Sequence, residues 1–117
     1  MAIYNYRKEE EYQLKSAKNK ISVSVISGNG QGGSYFILKD LEFVGANDTV
    51  LIGTANQLEG KSIQVLVTIQ DKLIQTNWTG VIVIISEGGV NTFYNYAEEL
   101  PADKDIACYY INIKINR

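Results

Sequence analysis

Four carboxylates crowd the stretch Glu98-Glu99-Leu100-Pro101-Ala102-Asp103-Lys104-Asp105. An oxygen-rich loop suits a hard cation such as calcium, which takes about six to eight oxygen ligands. Glu98, Asp103 and Asp105 are the candidate ligands, joined by Asn47 and Asp48 if the fold brings them to the same end. The helix-loop-helix calcium pattern is absent. The plainer reading is a solvated acidic turn ahead of the last strand.

A second candidate is the glycine-rich run Ser27-Gly28-Asn29-Gly30-Gln31-Gly32-Gly33. A phosphate-cradling loop needs a Gly-Lys-Ser/Thr sequence and a following helix N-terminus, and this run has neither. Its glycines serve better as a connection that needs positive φ angles. A binding loop at Gly28, Asn29 and Gly30, where backbone groups approach a ligand closely, is the functional alternative. Trp78 is the single tryptophan, and Tyr94 and Tyr96 flank Asn95 on what reads as one strand face. Aromatic rings offer large contact area at low entropic cost, to a sugar or to a protein. Packing at the edge of a core is the competing role for Trp78, and tyrosine is common on strands whatever their role.

Other chemistry lacks its usual groups. The chain has no histidine, one cysteine and two arginines, Arg7 and Arg117. Histidine is the common general base near neutral pH, so neither Cys108 nor any serine has its usual activator. One cysteine without histidine cannot build a normal zinc shell, and no internal disulfide can form. Cys108 is expected as a small buried apolar residue. Thirteen acidic residues make a glycosidase pair conceivable. Glu9-Glu10-Glu11 reads as a solvated run, however, and nothing selects two inward carboxylates. No enzyme is expected.

The net charge of −2 gives no general attraction to nucleic acid or anionic lipid. Met1 to Lys15 has no apolar signal core, so the cytoplasm is the default compartment. The longest apolar run, Val81 to Ile85, is far too short to span a bilayer as a helix, so no membrane insertion is expected. The sequons at Asn47 and Asn77 read as chance occurrences.

The elements that must position these residues are strands. Ile63, Val65, Val67 and Ile69 recur at period two, as do Ile111, Ile113 and Ile115. Fifteen isoleucines suit a pleated surface. Strands are predicted near 10–15, 20–27, 34–44, 49–53, 61–70, 78–86, 90–96 and 107–116. Gly88-Gly89 marks a tight hairpin. A short helix is allowed within Arg7 to Lys18, or a helical turn near Ala97 to Leu100. Residues 1–8 form a candidate N-terminal arm on a single domain of residues 1–117. Val81 to Ile85 is apolar on both faces, so Ile82 and Ile84 call for cover from a loop, the arm or another subunit.

The expected fold is an all-β, antiparallel two-sheet sandwich of seven or eight strands, with a small closed barrel as alternative. The expected function is a soluble, non-catalytic recognition or assembly module working through protein–protein contacts, with a copy of itself or another protein. The alternative is a small-ligand or carbohydrate-binding sandwich, calcium-assisted through the acidic loop.

Overall fold

A computed structural model describes residues 2–28, 32–71, 76–102 and 104–117. Their strands are β1 (Ile3–Gln13), β2 (Lys20–Gly28), β3 (Gly32–Lys39), β4 (Glu42–Ala46), β5 (Val50–Thr54), β6 (Ser62–Gln70), β7 (Trp78–Glu87), β8 (Val90–Glu99) and β9 (Ile106–Asn116). They form two packed sheets, ordered β1-β9-β6-β3-β4 and β5-β2-β7-β8. The architecture is an all-β two-sheet sandwich, and neither sheet closes into a barrel among the described residues. No described helix is long and apolar enough to cross a membrane.

The period-two isoleucines and valines fill the space between the sheets. Ile63, Val65, Val67 and Ile69 of β6 oppose Ile113, Ile111, Tyr109 and Ala107 of β9, all buried. Val23 and Ile85 face them from β2 and β7, with Val81 and Val83 further along β7. Burying each such side chain stabilises the fold by about 1.5–3 kcal/mol. Truncating a central one such as Ile111 to alanine would cost about 2–5 kcal/mol, because the close-packed interior relaxes only in part.

Four features depart from the sequence reading. First, β1 runs parallel to β9, in register from Ile3↔Ile106 to Gln13↔Asn116, so the sandwich is not wholly antiparallel. Residues 3–8, read as an arm, lie in this strand. Second, the run 34–44 is two strands, not one. Asp40 and Leu41 take positive φ angles of 47° and 68° and close a two-residue hairpin between β3 and β4. Asp40 steadies the turn by accepting the Ser62 N–H at 2.8 Å, and the Leu41 N–H donates to Gln64 at 2.9 Å. Third, the helical turn is α1 (Ala55–Leu58), in the connection between the strands near 49–53 and 61–70; Thr54 and Gln57 form a capping box, and Ala55 and Leu58 are buried. The stretches Arg7–Gln13 and Ala97–Glu99, read as possible helix, are strand. Fourth, Cys108 is only half-buried, because Ala107 and Tyr109 take the inward positions of β9 and leave it on the outer face. The Gly88-Gly89 hairpin is as expected, with φ angles of 57° and 82° suited to a type I′ turn.

One buried charge ties the sandwich together. Glu87 is 1 % exposed, at the end of β7. Its carboxylate accepts the Tyr12 hydroxyl at 2.6 Å, the Ser16 N–H at 3.0 Å and the Asn19 amide at 3.1 Å. The Lys15 N–H donates to both its oxygens, at 3.1 and 3.0 Å. Burial alone would raise the carboxyl pKa. These donors outweigh it and hold the group below its ordinary 4.5. Glu87 therefore pins the β1–β2 connection to the opposite sheet.

Candidate functional site

The outer face of the five-stranded sheet is built from two adjacent rows. One row runs Ala46, Phe36, Leu66, Tyr110, Arg7 across β4, β3, β6, β9 and β1. The next runs Phe43, Leu38, Gln64, Asn112, Glu9 across the same strands. The β3–β4 half is apolar and the β9–β1 half polar. Phe36 and Phe43 meet edge to face, with ring centroids 6.1 Å apart, yet remain 49 % and 64 % exposed. Leu41 stands at the tip of the same hairpin, 70 % exposed. A bulky side chain in the left-handed region is strained by about 1–2 kcal/mol, and an exposed leucine recovers little of that by burial.

The polar half is ordered before any ligand arrives. The Gln64 amide, 4 % exposed, donates to the Asn112 side chain at 2.8 Å, and Asn112 donates to Glu9 at 3.0 Å. The Arg7 guanidinium lies 5.1 Å from the Tyr110 ring centre, a cation–π stack. Shallow depressions of about 380 and 460 Å³ share this stack, one reaching Asn5, Thr68 and Cys108, the other Gln64, Asn112 and Leu41.

The outer face of the four-stranded sheet carries a different surface. Ile26 pairs with Ile82, and Ile84 with Phe93, in one apolar stripe. Ile82 and Ile84 are half-buried by these neighbours, while Ile26 and Phe93 are 51 % and 55 % exposed, so the stripe faces outward. At one end Gly28, Gly80 and Ala97 stand side by side on β2, β7 and β8. Three small residues in line leave a depression of about 310 Å³, lined also by Ile82 and Asn95. Trp78, 45 % exposed, shares the face two residues before Gly80.

The residues singled out from the sequence divide accordingly. Gly28 lines this depression, and Trp78 stands on the same face beyond Gly80. Asn29, Gly30 and Asp103 lie outside the described residues. Tyr94 and Tyr96 point inward between the sheets. The Tyr94 hydroxyl donates to the Glu11 carbonyl at 3.0 Å and the Tyr96 hydroxyl to the Glu10 carboxylate at 2.6 Å. Burial raises both phenol pKa values, and the Glu10 charge adds to it. These two tyrosines lace β8 to β1 across the open side of the sandwich. Glu98 turns to Lys8 at 4.0 Å, and the buried Asp105 accepts the Ala2 N–H at 2.9 Å. No three acidic or cysteine side chains converge as a metal cage among the described residues.

Sequence reasoning did not pick out Phe36, Leu41, Phe43 or the Arg7–Tyr110 stack. Their only signal was the alternation of Phe36 and Leu38 and the nearby Phe43, which become one patch only when the hairpin closes at Asp40-Leu41. Compared with known proteins, the chain matches no family model, no curated protein and no solved structure.

Proposed function

We propose that the chain is a non-catalytic recognition and assembly module that docks a protein partner on the outer face of its five-stranded sheet. The observation that carries this reading is the Phe36–Leu41–Phe43 cluster, three large apolar side chains 49 %, 70 % and 64 % exposed on one hairpin. Exposed apolar surface, with Phe36 and Phe43 in contact, beside a pre-ordered polar rim has the anatomy of an interface centre. Burying a phenylalanine there would contribute about 1.5–3 kcal/mol to binding. The Gln64–Asn112–Glu9 chain and the Arg7–Tyr110 stack supply fixed donors and acceptors at little ordering cost. The buried carboxylates Glu87 and Asp105 are engaged in structural hydrogen bonds, consistent with a scaffold.

The test is a photo-crosslinking scan in cells of the source organism. Phe43→benzoylphenylalanine should give a discrete protein adduct that disappears when Phe36→Ser is added. The same probe at the exposed Lys114 should give none. Adducts of equal yield at both positions, or none at position 43, would overturn the reading.

A second reading, carbohydrate or small-ligand binding, is favoured by the depression at Gly28, Gly80 and Ala97 beside Trp78. A Cβ added at Gly28 would stand 3.8 Å from the Gly80 backbone, an ordinary contact. Gly28→Ala should therefore keep the fold while narrowing the depression. Glycan-array signals lost in both Gly28→Ala and Trp78→Ala would support this reading. Silence of the unaltered protein, with no melting shift on adding calcium, would remove it.

A further inference from the structure

We infer that β8 is a self-pairing edge, along which two copies of the chain join antiparallel about a two-fold axis at Tyr94. This deepens the assembly reading by naming the partner as a second copy, on a surface separate from the Phe36–Phe43 face.

Among the described residues each sheet leaves two edge strands with unpaired backbone groups, and such edges recruit other strands unless they are blunted. Three of the four edges here are blunted. The strand β1 carries the charge block Arg7-Lys8-Glu9-Glu10-Glu11, and the Tyr94 hydroxyl already occupies the Glu11 carbonyl. The strands β4 and β5 have five residues each, with register breaks in the pairings that hold them. By contrast, β8 has ten residues and pairs with β7 in unbroken register from Trp78↔Glu99 to Glu87↔Val90. It holds no lysine, no proline and no bulge.

The hydrogen-bond phase shows which groups are free. The Leu100 N–H donates to the Asn77 carbonyl at 2.8 Å, and Glu87 and Val90 flank the two-residue hairpin. Even-numbered residues of β8 therefore bond to β7. The N–H and C=O groups of Asn91, Phe93, Asn95 and Ala97 point to the open edge. The strand β1 faces β8 across the sandwich, reached by the Tyr94 and Tyr96 hydroxyls, and does not lie alongside it.

Charge selects both the occupant and its direction. From Val90 to Ala97 the strand is uncharged, and Glu98 and Glu99 follow at one end only. Two copies aligned in parallel would stack these carboxylates on each other. Two copies aligned antiparallel, centred on Tyr94, place Glu98 opposite the partner's Val90 and Glu99 opposite the partner's Gly89. Phe93 then pairs with the partner's Asn95, and Asn91 with the partner's Ala97. Those four pairs exchange about eight backbone hydrogen bonds. The Ile26–Ile82–Ile84–Phe93 stripes of both copies then lie on one face of a continuous sheet, because a two-fold axis normal to the sheet keeps outer faces together.

The test is sedimentation equilibrium of the full chain from 5 to 300 µM (on the order of the range where weak edge pairing is populated), with amide exchange at both extremes. A monomer–dimer equilibrium is expected, with amides of Asn91, Phe93, Asn95 and Ala97 slowing at least tenfold at the high concentration. Asn95→Pro removes an outward N–H and no bond to β7, and Asn95→Lys adds an edge charge. Both should shift dissociation at least tenfold toward monomer with an unchanged circular dichroism spectrum. A protein that stays monomeric throughout, or a dimer indifferent to both variants, would overturn the inference. A dimer dissolved by Phe43→Ser but not by Asn95→Lys would overturn it while leaving the sheet-face reading intact. Loss of the crosslink at position 43 with the dimer retained would do the reverse.

Discussion

Replacing Glu87 with glutamine tests whether one buried carboxylate holds the two sheets in place. The change keeps the shape and removes the charge. Four donors converge on the group: the Tyr12 hydroxyl, the Lys15 and Ser16 N–H groups and the Asn19 amide. A hydrogen bond to a charged acceptor contributes about 1 kcal/mol more than a neutral one, so up to about 4 kcal/mol is at stake. Against this, a neutral amide escapes part of the penalty for burying a charge, which trims the net loss. The glutamine NH₂ must also face at least one former donor. A destabilisation of about 1–3 kcal/mol at pH 7 follows, or roughly 4–12 °C in midpoint for a domain of this size. The pH dependence carries the sharper prediction. The folded carboxyl lies below 4.5, so the unfolded chain binds its proton first as pH falls. The stabilisation is complete above that unfolded value and is lost as pH drops through the folded one. Urea titrations followed by far-ultraviolet circular dichroism at pH 7 and pH 3 should therefore show a gap between the two proteins that closes at low pH. A variant as stable as the parent at pH 7, or a gap undiminished at pH 3, would refute the reasoning.

Other changes probe other parts of the frame. Gly45→Ala drives its new Cβ into the Val50 methyls and should cost about 1–3 kcal/mol in thermal melts, partly restored when Val50→Ala is added. Leu41→Gly relieves a φ of 68° and should raise stability by about 0.5–1 kcal/mol after the entropy gained by the unfolded glycine is subtracted. The same change should weaken any partner held at Phe43, so stability and binding move in opposite directions. Tyr96→Phe removes the 2.6 Å bond to Glu10 and should cost about 1 kcal/mol while speeding amide exchange in β1.

The alternation of Ile63 to Ile69 and of Ile111 to Ile115 was enough to place the inner faces, because a two-sided sandwich admits no other solution for a period-two apolar run. The Gly88-Gly89 turn was legible for a similar reason, since only glycine enters both positions without strain. The parallel β1–β9 pair was not legible. In β1 the inward positions run Tyr4, Tyr6, Lys8, Glu10, Tyr12, and an edge strand can let Lys8 and Glu10 reach the half-open side, which hides the pattern. The hairpin at Asp40-Leu41 is hidden because leucine disfavours positive φ; Ser62 and Gln64, bonded to Asp40 and Leu41, hold it from outside the local sequence. For the candidate sites, the period of two puts Tyr94 and Tyr96 on a common face, as the structure has them. Which face was decided by Glu10 and Glu11 on a strand more than eighty positions away. Gly28 and Trp78 are fifty positions apart in sequence, and only the β2–β7 register, which sets Gly28 opposite Gly80, puts them near one end of one face.

The parallel pairing of β1 with β9 also fixes how the molecule carries load. Its first and last strands lie side by side over eleven register positions, from Ile3↔Ile106 to Gln13↔Asn116. The leading end of β1 and the trailing end of β9 therefore emerge at opposite ends of the sandwich, about 33 Å apart at the usual strand rise. Tension applied through those ends slides the two strands along each other. It strains the evenly spaced ladder all at once, where a hairpin pulled open would lose its bonds one by one. A chain anchored at both ends would act as a stiff link. Optical-trap stretching through positions 3 and 116 should need a markedly higher force than pulling β8 from β7 through positions 78 and 99.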